Sequence, residues 1–320
     1  MAPRALRRGD LVPAPPECVG LPLSPRPGVS VVLSVRSSRS TLERSRRFGG
    51  FEGAVKQEPI KYHVLVGASM GRGGSGTPVS RSQFHELAKY YDALNDWKDY
   101  SGESRRLDAI ARRFGRKGKT TWLDVACGTG RHLEFLQRRH AVVGVDGSRE
   151  MLRAARSRLP GVRLVLGDMR SFRLGRRFDV VSCLFSAIGH LGTKEDVRRT
   201  FANFARHLNP GGVAIVEPWF GPSAFHHGMV HLRKTESPDL TAVRMAYSIR
   251  RGNRSTIQWH FLIGRPGRGI RYYRATDVGL LLARYELLQC MRSAGLRPHF
   301  LSPGLMPGRG LLVGVKVGLG

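Results

Sequence analysis

Acidic residues are scarce in this 320-residue chain: 24 Asp and Glu stand against 53 Lys and Arg, for a formal net charge of +29. A surplus that large disfavours basic partners and directs attention to anions, either nucleic acid or a small anionic compound. Much of the surplus lies beyond residue 70, so it is not the mark of a basic tail alone. Cysteine is nearly as rare. Cys18, Cys127, Cys183 and Cys290 are scattered, with no CxxC spacing and no partners at ligand spacing, which argues against a disulfide framework and a structural zinc. A cytoplasmic, reducing setting is expected. No apolar run nears the ~20 residues that a bilayer-crossing helix needs, and no secretory signal with a cleavable apolar core is visible. Hydrophobic residues still make up 41% of the chain, enough for a full core.

Residues 1–80 carry little periodic pattern. Eight of the 18 prolines precede Met70, Arg and Ser cluster in RSSRSTLERSRR, and the apolar VSVVLSV (Val29 to Val35) is brief. A segment that can bury so little is expected to be a disordered basic leader. Because recognisable pattern begins soon after Met70, that methionine is expected to be the native start, with the leader a gene-model extension.

From Gln83, QFHELAKYYDALNDWKDY sets Phe84, Leu87, Tyr91 and Leu94 at helical spacing, and SRRLDAIARRF (Ser104 to Phe114) reads as a second amphipathic helix. The stretch TWLDVACGTGRH (Thr121 to His132) organises the rest of the chain. It is a short apolar strand with Asp124 near its end, a tight turn through Gly128 and Gly130, and a helix opening at Arg131. Glycines let a ligand touch the main chain, and a helix start presents unpaired N–H groups. Such a strand–turn–helix suits a nucleotide cofactor. A dinucleotide fingerprint wants a small residue three positions after the second glycine, where this chain has Leu133. The pattern instead resembles motif I of class I S-adenosylmethionine-dependent methyltransferases, which implies that Asp124 helps hold the methionine amino group.

AVVGVDGS ends a second strand in Asp146, placed to accept both hydroxyls of a ribose. REMLRAARSRL is the next helix, and VRLVLGDMRSF gives a third strand ending in Asp168 and Met169. There the carboxylate can accept from an adenine amino group and the Met169 main chain can address the ring nitrogens. Three acids thus close three successive strands. FDVVSCLF and VAIVEPWF supply a fourth and a fifth, separated by the helix DVRRTFANFARHL and a turn at Asn209–Gly212. Base-methylating enzymes carry Asn/Asp-Pro-Pro-Tyr or Pro-Cys at the fourth strand. Here Cys183 follows Ser182 and neither signature is present, so no nucleic-acid partner is expected despite the charge.

Between Phe220 and about Arg274 the pattern changes. AVRMAYSIRRGN and RSTIQWHFLIGR read as a hairpin turned at Arg251-Gly252-Asn253, and GIRYYRATD as a further strand. The expected fold class is α/β: a Rossmann-like class I methyltransferase sheet with helices on both faces, plus an inserted antiparallel β-sheet substrate domain. Its expected divisions are a cofactor domain at 81–219, the insertion at 220–275, and a helix and strands returning to the core at 276–320.

LDVACGTGRHLEFL, GDMRSFRLGRRFD, CLFSAIGHL, NPGGVAIVEPWF and GRGLLVGV occur in that order between Tyr91 and Val317. Together they resemble the bacterial dTDP-3-amino-3,6-dideoxyhexose N,N-dimethyltransferases of macrolide amino-sugar biosynthesis, the desosamine and mycaminose type. The resemblance implies S-adenosyl-L-methionine as cofactor, with Tyr91 and Tyr100 at its lid and Asp124, Ala126, Gly128, Gly130, Asp146, Asp168, Met169 and Leu184 around it. It implies His190, Trp219, Phe220, Tyr247 and Arg309 at a nucleotide-linked amino sugar, with Arg309 pairing with the diphosphate. It also implies a homodimer, while the residue spacing and the short apolar runs lead to no expected metal and no membrane partner. His190 could act as a base or only hydrogen-bond the amine. Two departures stand out: the family's substrate-facing tyrosine upstream of Tyr91 is replaced by Gln83 or Phe84, and the second Trp of EPWW is Phe220. The rival readings are a small-molecule methyltransferase with an oxygen or carboxylate acceptor, and a nucleic-acid methyltransferase.

Overall fold

The computed structural model describes residues 87–317. The leader, the Met70 start and the Gln83/Phe84 departure lie outside the described residues. A short helix α1 (Tyr91–Leu94) and a long one, α2 (Tyr100–Phe114), lead into an alternation of strand and helix. It runs β1 (Thr121–Val125), α3 (Arg131–Leu136), β2 (Ala141–Asp146), α4 (Arg149–Arg158), β3 (Arg163–Leu166), β4 (Phe178–Cys183), α5 (Lys194–Arg206) and β5 (Leu208–Val216). Then come β6 (Val230–Ser237), β7 (Leu240–Arg251), β8 (Arg254–Arg265), β9 (Gly269–Leu280), α6 (Arg284–Ser293), β10 (Leu296–Leu301) and β11 (Leu311–Lys316).

The core strands are apolar on both faces, and the packing shows why. Trp122 and Leu123 are both 0% exposed: Trp122 packs with Leu107 and Ile110 of α2, whereas Leu123 belongs with Phe201 and Phe204 of α5 on the opposite face. A strand covered on both sides reads as an unbroken apolar run, and each such side chain contributes about 1.5–3 kcal/mol by its burial. The larger sheet has the order β10-β11-β5-β4-β1-β2-β3. Strands β1 to β5 pair in parallel, and β11 and β10 are antiparallel. With a separate antiparallel sheet of order β6-β7-β8-β9, the expected fold class holds.

Details of the elements depart from the sequence pattern for local reasons. Helix α2 begins a turn before Ser104 because the Asp99 side chain caps it, accepting the Gly102 N–H at 2.8 Å. The Asn209–Gly212 stretch is drawn into β5 at an irregular register rather than standing apart as a turn. The hairpin of β7 and β8 turns at Gly252 and Asn253 as expected, but β9 runs on to Leu280, past the expected boundary at 275. Strand β6 was not legible at all. Seven of its eight residues are exposed, so no alternation marks it. The inner face of the small sheet, with Ala242, Phe261, Ile263, Tyr273 and Ala275, covers Leu87, Tyr90 and Leu94 around α1. No described helix is long and apolar enough to cross a membrane.

Candidate active site

Parallel pairing brings the carboxyl ends of β1, β2 and β3 to one edge, with Asp124 level with Gly144 and Asp146 level with Leu166. Ligands of open parallel sheets bind outside such ends. Asp146 accepts the Gly128 N–H through one oxygen and the Ser148 N–H through the other, each at 2.8 Å. The carboxylate expected at a ribose therefore also pins the glycine turn. That turn holds Ala126, Gly128 and Gly130 at φ of 58°, 56° and 78°. A Cβ on Gly130 would fall 2.5 Å from Leu159 Cδ1, whereas one on Gly128 would meet nothing within 4 Å. The first glycine leaves open main chain and the second lets α4 pack close.

Asp124 is 2% exposed and accepts the Ser182 hydroxyl at 2.6 Å, while Ser182 accepts the Trp122 indole N–H at 2.8 Å. Burial pushes its carboxyl up to about 6, with nearby His132 opposing the shift. His132 Nε2 lies 2.8 Å from Glu103, which also pairs with the buried ammonium of Lys98. Sequence reasoning missed Lys98, Glu103, His132 and Ser182. Polar residues in an amphipathic pattern look solvent-facing until the fold turns them inward.

Tyr91 stands at the same edge: burial raises its phenol's pKa, and the charges of Asp92 and Asp146 reinforce the shift. The Tyr100 ring meets the His132 ring edge-on at 4.9 Å. A polar latch fixes α1 against the glycine turn. Asp92 accepts the Thr129 hydroxyl at 2.6 Å, and Arg158 donates to Asp92 at 2.6 Å and to the Thr129 carbonyl at 2.7 Å.

Asp168 lies two residues past β3 and is already engaged. It accepts Arg170 Nε at 3.0 Å and the Arg170 main-chain N–H at 2.8 Å, and this partner holds its carboxyl below the usual carboxylate range. Any adenine amino group there shares the carboxylate with Arg170. The Met169 carbonyl accepts from the Asn203 amide at 3.1 Å.

A second cluster forms where β4 and β5 end. Phe185 and Ser186 adopt consecutive positive φ of 52° and 60°, a conformation that non-glycine residues hold only where the surroundings enforce it. Glu217 accepts the Phe185 N–H at 2.7 Å, Ser186 donates to the Pro218 carbonyl at 2.7 Å, and Arg309 donates to Ser186 Oγ at 2.8 Å. The Arg309 guanidinium lies over both Trp219 and Phe220, 4.9 and 4.6 Å from their ring centroids. Trp219 in turn donates to Ser255 of β8 at 2.9 Å. Trp219, Phe220 and Arg309 are therefore brought together. His190 is exposed at the end of the single-turn helix Ala187–His190, next to Gly189, which packs against Trp219.

The Leu184 side chain packs with Leu107, Trp122 and Val180 in the core, and its carbonyl accepts the Ala187 N–H at 3.2 Å, so any part it has at the cofactor falls to its main chain. The Tyr247 expectation needs correction. Ala246 packs with Trp219 and Phe220, so the period-two alternation of β7 turns Tyr247, 38% exposed, to the outer face of the small sheet. Among the described residues, no three His, Cys, Asp or Glu side chains stand together as metal ligands.

Residues 123–212 match the family described as a methyltransferase domain. The chain is 39% identical over 231 residues to the dTDP-3-amino-3,4,6-trideoxy-alpha-D-glucopyranose N,N-dimethyltransferase of Streptomyces venezuelae, covering 71% of this chain and 97% of that protein. The crystal structure of Streptomyces venezuelae DesVI matches with a TM-score of 0.69 at 38% identity, over 73% of this chain and 98% of that one. CalS10 with bound SAM, an amino pentose methyltransferase from Micromonospora echinaspora involved in calicheamicin biosynthesis, matches with a TM-score of 0.66 at 34% identity, over 72% and 97%. Fold, motif order and relatives agree, and the chain belongs to the S-adenosylmethionine-dependent methyltransferases, in the family of dTDP-amino-sugar N,N-dimethyltransferases.

Proposed function

We propose that the chain dimethylates the amino group of a nucleotide-linked amino deoxysugar. The observation that carries this is the Arg309 guanidinium stacked on Trp219 and Phe220 at the β4 and β5 exits, in the same sheet whose neighbouring strands end in the carboxylates. A planar fork of donors suits a diphosphate, and the rings beside it suit a base or sugar face.

On the cofactor side, Asp124 would hold the ammonium of the methionine part, Asp146 the ribose, and Asp168 and Met169 the adenine. Ala126, Gly128, Gly130 and the Leu184 main chain shape the floor, and Tyr91 and Tyr100 cover it. These groups fit S-adenosyl-L-methionine: a buried acid for a cation, a strand-end acid for hydroxyls, and open main chain at Gly128. Bound there, the cofactor supplies a methyl carbon already activated on a sulfonium. The chain's own task is to hold the amine at near-attack distance and keep water out. His190 is assigned to orienting that amine.

The burial of Asp124 predicts a pH limit. Its carboxyl must be ionised to hold an ammonium, and its pKa in the free protein is about 6. Cofactor affinity should be flat above that pH and weaken by up to about tenfold per pH unit below it. Stability runs the other way: a folded pKa above the unfolded value means this group's contribution is lost as pH rises through about 6. Calorimetric titration from pH 5 to 8 reads the first effect, and an affinity unchanged down to pH 5 would contradict this role for Asp124.

A cytoplasmic homodimer completes the reading. The outer face of the small sheet exposes Leu232, Tyr247, Leu262, Ile270 and Tyr272. Strands of up to 12 residues, four abreast, present roughly 800 Å² by the usual strand spacings, about one partner's share of a standard interface. A monomer mass by sedimentation at micromolar concentration would remove the dimer. The activity itself is tested by incubating the protein and S-adenosyl-L-methionine with a dTDP-3-amino-3,6-dideoxyhexose. Successive gain of one and two methyl groups by mass spectrometry is expected, and methylation of a hydroxyl substrate or RNA instead would overturn it.

A further inference from the structure

Glu217 follows β5 directly and is 0% exposed. One of its oxygens accepts the Phe185 N–H, but the other, Oε1, is buried with no hydrogen-bond partner. Buried polar atoms are nearly always paired, so an orphan just past the end of a core strand calls for an explanation, and a ligand that supplies the missing group is one. The charged groups facing it are Lys98, Glu103 from α2, and Arg309 from the loop before β11. Both cations have other partners. The Lys98 ammonium pairs with Glu103 and sits 4.6 Å from the Phe185 ring centroid, and Arg309 donates to Ser186. Burial raises the Glu217 carboxyl pKa, as expected of an acid that neither cation bridges. Phe185 meets Glu217 through its main-chain N–H, and Trp219 and Phe220 follow it by two and three residues. A buried carboxylate oxygen with no donor of its own is chemistry for a nitrogen that carries protons and positive charge.

We propose that Oε1 of Glu217 receives the acceptor's amino group and determines the preference for nitrogen over oxygen. This rests on the reading of the chain as an amino-sugar N-methyltransferase. An ammonium brings several N–H donors and a charge to this oxygen, whereas a hydroxyl in its place brings one donor and none. If the ammonium passes one proton to Oε1, nitrogen keeps the bonding pair as its lone pair and the carboxylate becomes a neutral carboxylic acid. Protons and charge balance with no further reactant, and a buried carboxyl tolerates the neutral form.

The test uses Glu217→Gln, whose side-chain oxygen can still accept the Phe185 N–H. Two ligands are titrated calorimetrically into the full chain loaded with S-adenosylhomocysteine: the amino sugar nucleotide, and its counterpart with hydroxyl in place of the amine. Wild type should favour the amine by about tenfold or more. In the variant that preference should vanish through a weaker amine complex alone, with the hydroxyl ligand and S-adenosylhomocysteine affinity unchanged. Equal weakening of both ligands, or no change in either, would show that Glu217 only supports the strained Phe185 turn. Should the Gln variant fail to fold, Glu217→Asp keeps the charge at shorter reach, and loss of affinity for both ligands together there would likewise overturn the proposal. Wild type that binds and methylates neither ligand would instead bring down the functional reading, and this proposal with it.

Discussion

Asp146→Ala should weaken cofactor binding by about 100-fold or more while leaving the sheet folded. The carboxylate accepts two main-chain N–H groups at 2.8 Å, from Gly128 and Ser148, and both lose their partner when it is removed. Hydrogen bonds to a charged group contribute about 1.5–3 kcal/mol each, and the ribose contact would be lost besides. At 1.4 kcal/mol per decade, even one such bond and a disordered turn account for two decades. The fold depends on this side chain much less, since β2 is held by its parallel pairing with β1 and β3 and by the packing of Val143 and Val145. Melting temperature should therefore fall by about 5–10 °C, what these two bonds contribute in a chain of this size, while the sheet stays folded and affinity collapses. Asp146→Asn, which keeps one accepting oxygen, should lie between. Calorimetry with S-adenosyl-L-methionine checks both variants, and an Ala variant within threefold of wild type would remove Asp146 from the ribose.

How much the sequence reveals depends on how local each signal is. The glycine turn and the strand-end acids Asp124 and Asp146 are written in a dozen contiguous residues apiece, so their positions were legible. Partnerships across the chain were not. The Asp124–Ser182 pair spans 58 positions and the His132–Glu103 pair 29, and neither leaves a periodic trace. Asp168 was legible as a strand-end acid, but its capture by Arg170 depends on a rotamer that spacing does not encode. Strand phase is the other weak point. Tyr247 and Ala246 are adjacent, and only the packed sheet reveals that the small residue, not the aromatic one, faces Trp219. Leu184 lies just past the end of β4, in phase with Val180, so its side chain stays in the core.

Arg309→Ala should raise KM for the sugar nucleotide by about 100-fold to 1000-fold with a much smaller change in kcat. The guanidinium is positioned by three independent contacts, the Ser186 hydroxyl and the faces of Trp219 and Phe220, and its Nε is buried without a partner. An arginine fixed so firmly with a donor to spare is preorganised for an incoming anion, and burial disfavours its charge until one arrives. Two charge-assisted bonds, each at about 1.5–2 kcal/mol, the lower end for bonds to charged groups, give the expected loss at 1.4 kcal/mol per decade. It should fall on binding rather than turnover because a diphosphate makes and breaks no bond in methyl transfer and is held alike before and during it. Arg309→Lys should recover little, since an ammonium can neither span two phosphate oxygens nor lie flat on two rings. A Lys variant with near-normal KM would mean that charge alone suffices at this position. An Ala variant with normal KM would show that the guanidinium only braces Ser186 and the two rings, leaving the diphosphate to other cations.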